Sequence, residues 1–155
     1  FRTPKNIDKL CYNLAKKYGW TPVFMHLRPW MLQPQIRKKI KIILDAGPLE
    51  FLGLIKRANL VITDSFHATA FSVIFQRPFY VVLDNKSKRE SRNSRINTLL
   101  NILNIPKYIL YPNQAYNENT LDLPDINYKH IMSYLTTKRE ESISFLKNAL
   151  SERGV

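Results

Sequence analysis

Residues 60–82 read LVITDSFHATAFSVIFQRPFYVV, and their period changes midway. Leu60, Val61, Ile62 and Thr63 form a short apolar, β-branched run without in/out alternation. That predicts a strand buried on both faces, as in a parallel sheet. From Ser65 the spacing turns helical: Phe66, Ala70, Val73 and Ile74 share one face, and Phe71 and Phe75 cover an adjacent one. Asp64 or Ser65 can cap this helix, because a short side-chain oxygen accepts from the free N–H groups of the first turn. Gln76-Arg77-Pro78 closes it, since the residue before a proline is driven out of the helical region. Phe79 to Leu83 is a second continuous apolar strand. The stretch is therefore a strand–helix–strand unit with very short connections.

Its polar residues fall where a strand ends and a helix begins. In an open parallel sheet that edge faces the ligand crevice. The helix start adds unpaired N–H groups and about half a positive charge, which suits an anion. A histidine at position 67 is thus placed for chemistry. Strand–cap–helix junctions occur throughout α/β proteins, so spacing alone leaves two readings open. In one, Asp64, Ser65 and His67 belong to a site; in the other, the first two only cap and the third is a surface residue.

The chain has 155 residues, enough for one domain with a real core, and 45% of them are hydrophobic, the composition of a globular protein. It begins at Phe1 and shows no signal peptide, and a piece of a longer protein is expected. No apolar run reaches the ~18–20 residues that span a bilayer. The single cysteine, Cys11, allows no intrachain disulfide and stands beside Leu10 and Leu14, which predicts an inert structural thiol and a reducing, cytoplasmic setting. With 24 Lys and Arg against 12 Asp and Glu, the net charge of +12 points to an anionic partner: nucleic acid, a phosphate-bearing substrate or an anionic membrane surface.

Outside the central unit, residues 3–18 predict a helix, with Thr3 as cap, Pro4 in the first turn, a stripe of Ile7, Leu10 and Leu14, and a stop at Gly19. Thr21–Leu27 and Ile40–Leu44 predict strands around an irregular, basic link. A helix opens at Asp45-Ala46-Gly47-Pro48 and runs through Lys56. The polar run 84–95 predicts a basic loop, followed by a helix carrying Ile96, Leu99, Leu100 and Leu103. A last strand is expected near Tyr108–Leu110, a polar loop over 112–126, and a long helix over 127–151 with a break near Thr136–Glu140. Strands alternating with helices predict an α/β, Rossmann-like three-layer sandwich with a mainly parallel sheet. There is no dinucleotide glycine fingerprint and no P-loop, and only four glycines to build one. Three scattered histidines and one cysteine predict no metal site, and no cofactor is expected.

Three segments converge on one sheet edge in this reading. Gly47 and Glu50 mark one helix start, Thr63 to Thr69 a second, and Arg92 and Arg95 flank the start of the helix after the basic loop. Either arginine can fork onto a phosphate or carboxylate.

The stretch GPLEFLGLIKRANLVITDSFHATAFSVIFQRPFYV, followed by RNSRINTLLNILNI, strongly resembles the polysaccharide pyruvyl transferase family from Gly47 to about Ile105. The most specific part is the strand leading into Ser65-Phe66-His67, with the small residues after it and the proline before the next strand. The resemblance implies a GT-B-like architecture of two facing Rossmann-like domains, with residues 1–155 as the C-terminal, donor-binding half. It further implies transfer of a pyruvyl group from phosphoenolpyruvate to sugar hydroxyls, with a sugar or lipid-linked oligosaccharide as acceptor and a missing N-terminal domain to hold it. On that basis His67 is expected to be catalytic, and Asp64, Ser65, Phe66, Thr69, Arg92, Arg95, Gly47 and Glu50 to bind substrate. Two departures stand out. Ala68 follows His67 where the family commonly has glycine, and Ser65-Phe66-His67 stands where some members carry Arg-Leu-His. Arg92 or Arg95 must then supply the absent arginine's charge.

The same features admit other functions. A GT-B-type glycosyltransferase using a nucleotide sugar would share the fold, and a non-enzymatic basic module binding anions or nucleic acid would share the charge. Nucleic acid is the weakest partner, because most Phe residues fall in core elements and the basic residues are scattered. The expected location is cytoplasmic, extending to the inner membrane surface, and the terminal helix is a candidate homodimer contact.

Overall fold

The computed structural model describes residues 5–25, 38–83, 90–105, 107–117, 119 and 121–151, with side chains of 5, 6 and 90–92 left out of the account. The elements are α1 (Lys5–Lys17), β1 (Val23–Met25), β2 (Lys41–Ile43), α2 (Pro48–Arg57), β3 (Val61–Thr63), α3 (Phe66–Ile74), β4 (Phe79–Val82), α4 (Glu90–Ile102), β5 (Ile109–Leu110) and α5 (Tyr128–Ser151). Two compact units emerge, residues 1–124 and 125–155.

In the first unit every strand pair is parallel, as the lack of alternation predicts. One ladder joins β1 to β2, with Val23 opposite Lys41 and Met25 opposite Ile43. The other runs β3-β4-β5, with Val61 opposite Phe79, Thr63 opposite Val81, and Val82 opposite Leu110. Strand β4 lies between two neighbours, and all four of its residues are buried. Its FYVV sequence is continuous and apolar for that reason: neither face meets water.

Helix α3 packs on β3 and β4 and between α2 and α4. Its all-round apolar character follows from those contacts on several sides. Phe51 of α2 meets Phe71 edge to face at 6.2 Å between centroids, and Phe71 stacks on Phe75 at 6.1 Å. Burial also reaches Thr69 and Ser72, both with no exposed surface. Each hydroxyl donates to a carbonyl one turn back, Thr69 to Ser65 at 2.9 Å and Ser72 to Ala68 at 2.7 Å, so neither polar group is stranded.

Three helices end in one way. After α1 the amide of Gly19 donates to the Lys16 carbonyl and that of Trp20 to Ala15, with Gly19 left-handed at φ +68°. After α3 the same pair of bonds joins Gln76 to Val73 and Arg77 to Ser72, with Gln76 at φ 54°. After α4 it joins Asn104 to Asn101 and Ile105 to Leu100, with Asn104 at φ 55°. This paired closure satisfies carbonyls that helix ends leave free. It stops α3 at Ile74, ahead of the point where Pro78 alone would have stopped it.

Two expectations are corrected. Helix α4 begins at Glu90, not near Ile96, so Arg92 and Arg95 lie within it and do not flank its start. The segment ESRNSR is polar but free of Gly and Pro, and residues of that kind carry a helix on its exposed face at little cost. In the second unit α5 runs unbroken through Thr136–Glu140. The hydroxyls of Thr136 and Ser142 bond back to the carbonyls of Met132 at 2.9 Å and Lys138 at 2.7 Å, and Lys138 reaches Glu141 at 2.7 Å. The polar middle therefore bonds within the helix. Beyond it Phe145, Leu146 and Leu150 are 71%, 58% and 62% exposed, the apolar end the sequence predicts.

Burial shows in two titrating groups. The Cys11 thiol is pushed from 9.0 up to about 12, first by desolvation and then by the charge of Asp8. Tyr80 is pushed from 10.0 up to about 12, first by desolvation and then by Tyr108, Asp122 and Tyr18. In each case the unfolded chain gives up its proton first. The stabilisation is therefore complete below about pH 9 and is lost as pH rises towards 12, at no more than ~1.4 kcal/mol per pH unit for each group. Urea midpoints that fall across that window, together with resistance of Cys11 to alkylation at pH 8 in the folded chain, are the expected results; rapid alkylation there would contradict a buried thiol.

Candidate functional site

The C-terminal ends of β3, β4 and β5 share one edge of their sheet, because the three strands are parallel. At the β3 end the chain turns within two residues. Ser65 donates its amide to Thr63 Oγ1 at 3.1 Å. Its own Oγ accepts from the Ala68 amide at 3.4 Å, and its extended backbone (φ −94°, ψ 128°) makes it the N-cap of α3. Of the two capping candidates, Ser65 is the one used. Asp64 precedes it, half-buried, at the strand end.

This turn sends His67 outward into solvent in the first turn of α3. Phe66 lies beside it, the two rings edge to face at 5.8 Å and 78°. From α4, the Arg95 guanidinium sits over the Phe66 ring at 5.6 Å from its centroid. A cation over a ring face is attracted by the ring's quadrupole, by about 0.5–1 kcal/mol at an exposed position. Phe66 is thus shared: its ring contacts the imidazole and also the guanidinium. Residues 29 positions apart, Phe66 and Arg95, meet because α3 and α4 pack together.

The other expected site residues are placed as follows. Thr69 is fully buried beneath the turn, with its hydroxyl on the Ser65 carbonyl, and any contact with a ligand would require it to be uncovered. Gly47 is the N-cap residue of α2 and makes no side-chain capping bond; Pro48 follows it in the first turn. A Cβ built on Gly47 would lie 2.7 Å from Glu50 Oε2, so the Glu50 side chain folds back over its own helix start. Gly47 and Glu50 therefore meet each other there. The side chain of Arg92 and the loop 84–89 lie outside the described residues.

A further feature at the same sheet edge escaped the sequence reading. Just past β5, the Tyr116 hydroxyl accepts from the Tyr111 amide, lies 3.2 Å from the Tyr111 carbonyl and 2.8 Å from Gln114 Oε1. Burial is the main reason the Tyr116 phenol is held above its ordinary pKa. Nearby in sequence, the Tyr80 hydroxyl donates to the Asp122 carbonyl at 2.7 Å and ties the 112–126 loop to β4. The paired tyrosines of YPNQAY were the available signal, but a closed turn and an open polar loop have the same composition.

Among the described residues there is no group of three His, Cys, Asp or Glu side chains able to hold a metal, and no helix long and apolar enough to cross a membrane. The arrangement instead offers the positive end of a capped helix, an exposed imidazole and a guanidinium. Those groups can bind an anion and move a proton.

The family model described as polysaccharide pyruvyl transferase matches residues 3–87. Among curated proteins, the chain is similar to the UDP-N-acetylglucosamine 2-epimerase of Methanococcus maripaludis, with 31% identity over 125 residues, covering 68% of this chain and 32% of the epimerase. The chain thus spans about a third of the length of that relative. No solved structure matches.

Proposed function

Because the chain belongs to the polysaccharide pyruvyl transferase family, we propose that it is the donor-binding half of an enzyme that moves a pyruvyl group from phosphoenolpyruvate to sugar hydroxyls in cell-surface polysaccharide synthesis. The observation that carries this reading is the Phe66-centred group, which gathers an imidazole and a guanidinium at a helix start on the C-terminal edge of the sheet.

The chemistry asks for those groups. The donor carries a phosphate and a carboxylate, so its site must offer N–H donors and cations. A sugar hydroxyl adds to the donor's C2 as a proton is delivered to the methylene carbon C3. Phosphate then leaves with its bonding pair, and a second hydroxyl closes the ketal. The two hydroxyl protons balance the sum: one equals the proton gained at C3, the other departs with phosphate. We assign His67 to delivering the proton or holding the phosphate, the amides of the α3 start to the phosphate, and Arg95 to the donor carboxylate or phosphate in place of the arginine found elsewhere in the family. We further assign Ser65 and Phe66 to shaping the site, and Asp64, Arg92, Gly47 and Glu50 to binding substrate. The acceptor in this reading binds on a further domain of a GT-B-like enzyme, so residues 1–155 alone hold donor without turning it over.

A second reading rests on the epimerase likeness. A nucleotide sugar also brings phosphates to a helix start, and the chain would then serve a nucleotide-sugar enzyme. Calorimetric titration of the chain separates the two: phosphoenolpyruvate binding in competition with inorganic phosphate supports pyruvyl transfer, whereas binding of a UDP-sugar with none of phosphoenolpyruvate overturns it.

Arg95→Lys tests the cation. Lysine keeps the charge but lacks the planar fork that stacks on a ring and binds an anion through two N–H groups. Donor affinity is expected to fall roughly 10-fold in Arg95→Lys and at least as far in Arg95→Ala. Unchanged affinity in both would remove Arg95 from the site.

A further inference from the structure

The positive charge of this chain is not spread evenly. Residues 1–57 carry twelve Lys and Arg against three Asp and Glu, and so hold nine of the twelve excess charges. The site around His67 accounts for little of that excess, and the fold gathers part of it elsewhere. On α1, Lys9, Tyr12 and Lys16 follow one another at helical spacing along one face, while Ile7, Leu10 and Leu14 on the opposite face are buried. The segment before β2 comes alongside: Lys39 Nζ lies 5.7 Å from the centroid of the Tyr12 ring. Lys9, Lys16, Lys38, Lys39 and Lys41 are all exposed. The one acid of α1, Asp8, is only 5% exposed and puts no carboxylate on this face.

We propose that this lysine face, centred on Tyr12, docks the protein on an anionic lipid bilayer surface. The proposal stands independently of the donor assigned above. Exposed lysines clustered on one face attract a negatively charged leaflet, and several acting together are needed for stable attachment. The aromatic ring favours lipid over nucleic acid. Strands of nucleic acid are gripped by stacking bases on open ring faces. Here the ring at the centre of the face, Tyr12, already has Lys39 Nζ over it at 5.7 Å. A ring occupied in that way offers little to a base. A half-buried Tyr ringed by exposed lysines is instead suited to the headgroup level of a membrane.

Vesicle co-sedimentation of the whole chain tests this. Vesicles of phosphatidylcholine containing about a third phosphatidylglycerol should bind the protein at low salt and release it at high salt, while phosphatidylcholine alone should not bind it. Combined Lys9→Ala, Lys16→Ala and Lys39→Ala should weaken partitioning by about 5-fold per lysine, on the order of 10²-fold together, with thermal unfolding unchanged. A control with the same charge loss, Lys107→Ala, Lys129→Ala and Lys147→Ala, removes three exposed lysines from other elements and should bind nearly as the parent does. Equal loss in the control would mean that net charge alone drives binding and would overturn the face. Equal binding to both kinds of vesicle would overturn the electrostatic basis. A single-stranded oligonucleotide that displaces the protein from vesicles at equal phosphate concentration would assign the face to nucleic acid instead.

Discussion

For the pyruvyl transfer proposed above, replacing His67 with alanine is expected to lower turnover of phosphoenolpyruvate by ~10²–10⁴, the range for losing an acid–base group or a strong electrostatic contact. The structural case is local. His67 is exposed in the first turn of α3, and its nearest described ring neighbour is Phe66. Removing an exposed side chain in favour of alanine, the best helix former, should leave stability within ~0.5 kcal/mol. Circular dichroism and the urea midpoint should thus match the parent while phosphate release collapses. Near-parental turnover in a folded variant would sink the assignment. His67→Gln then separates the two roles. Glutamine can still donate a hydrogen bond but cannot pass on a proton at this pH. If the imidazole delivers the proton, turnover stays low with donor affinity largely kept; if it only holds phosphate, much of the turnover returns.

The largest effect on stability is expected from Phe79→Ala. Phe79 opens the central strand of the three-stranded sheet, pairs with Val61 and has no exposed surface. Deleting a fully buried phenyl removes its transfer free energy and leaves a cavity that close-packed neighbours fill only in part, at ~3–5 kcal/mol. Single domains are stable by only ~5–15 kcal/mol, so this one change consumes a large share. With a urea slope of about 2 kcal/mol per molar, the midpoint should fall by ~1.5–2.5 M. Phe145→Ala is the contrast: that ring is 71% exposed on α5, and its loss should cost under ~0.5 kcal/mol. A loss below ~1 kcal/mol at Phe79 would mean that the core around β4 is looser than its burial indicates.

The architecture was legible because its signals are local and repeated. Leu60–Thr63 and Phe79–Leu83 have no alternation, which predicts parallel strands, and β3 and β4 are parallel neighbours. Phe79–Leu83 is buried throughout, whereas the expected burial of Leu60–Thr63 on both faces is not met, since each of its residues is only half-buried at the edge of the three-stranded ladder. Asp64 and Ser65 both read as caps from their side chains, and Ser65 is the one that caps α3. Gly19 read as a helix stop and closes α1 with a positive φ. The start of α4 was misplaced because polarity does not separate a loop from an exposed helical turn. The break expected in α5 failed for a related reason: its polar middle bonds within the helix.

Other features required the chain to be folded. Gln76 takes the left-handed conformation that glycine adopts most readily, and nothing in its local sequence marks it as Gly19 is marked, whereas Asn104 is a residue type that ends helices in this way. Tyr80 holds the carbonyl of Asp122, and Phe66 lies under Arg95, across separations no periodicity can register. The sequence by itself determined the order of strands and helices, the parallel class of the sheet, and the junction that puts His67 at a helix start, because each follows from a residue's own backbone preference or from burial spaced along the chain. Tertiary structure alone decided which cation stands beside that junction, that Thr69 is sealed beneath it, and which lysines share the face around Tyr12. Those are contacts between elements, made only once α3 packs against α4 and the segment before β2 reaches α1.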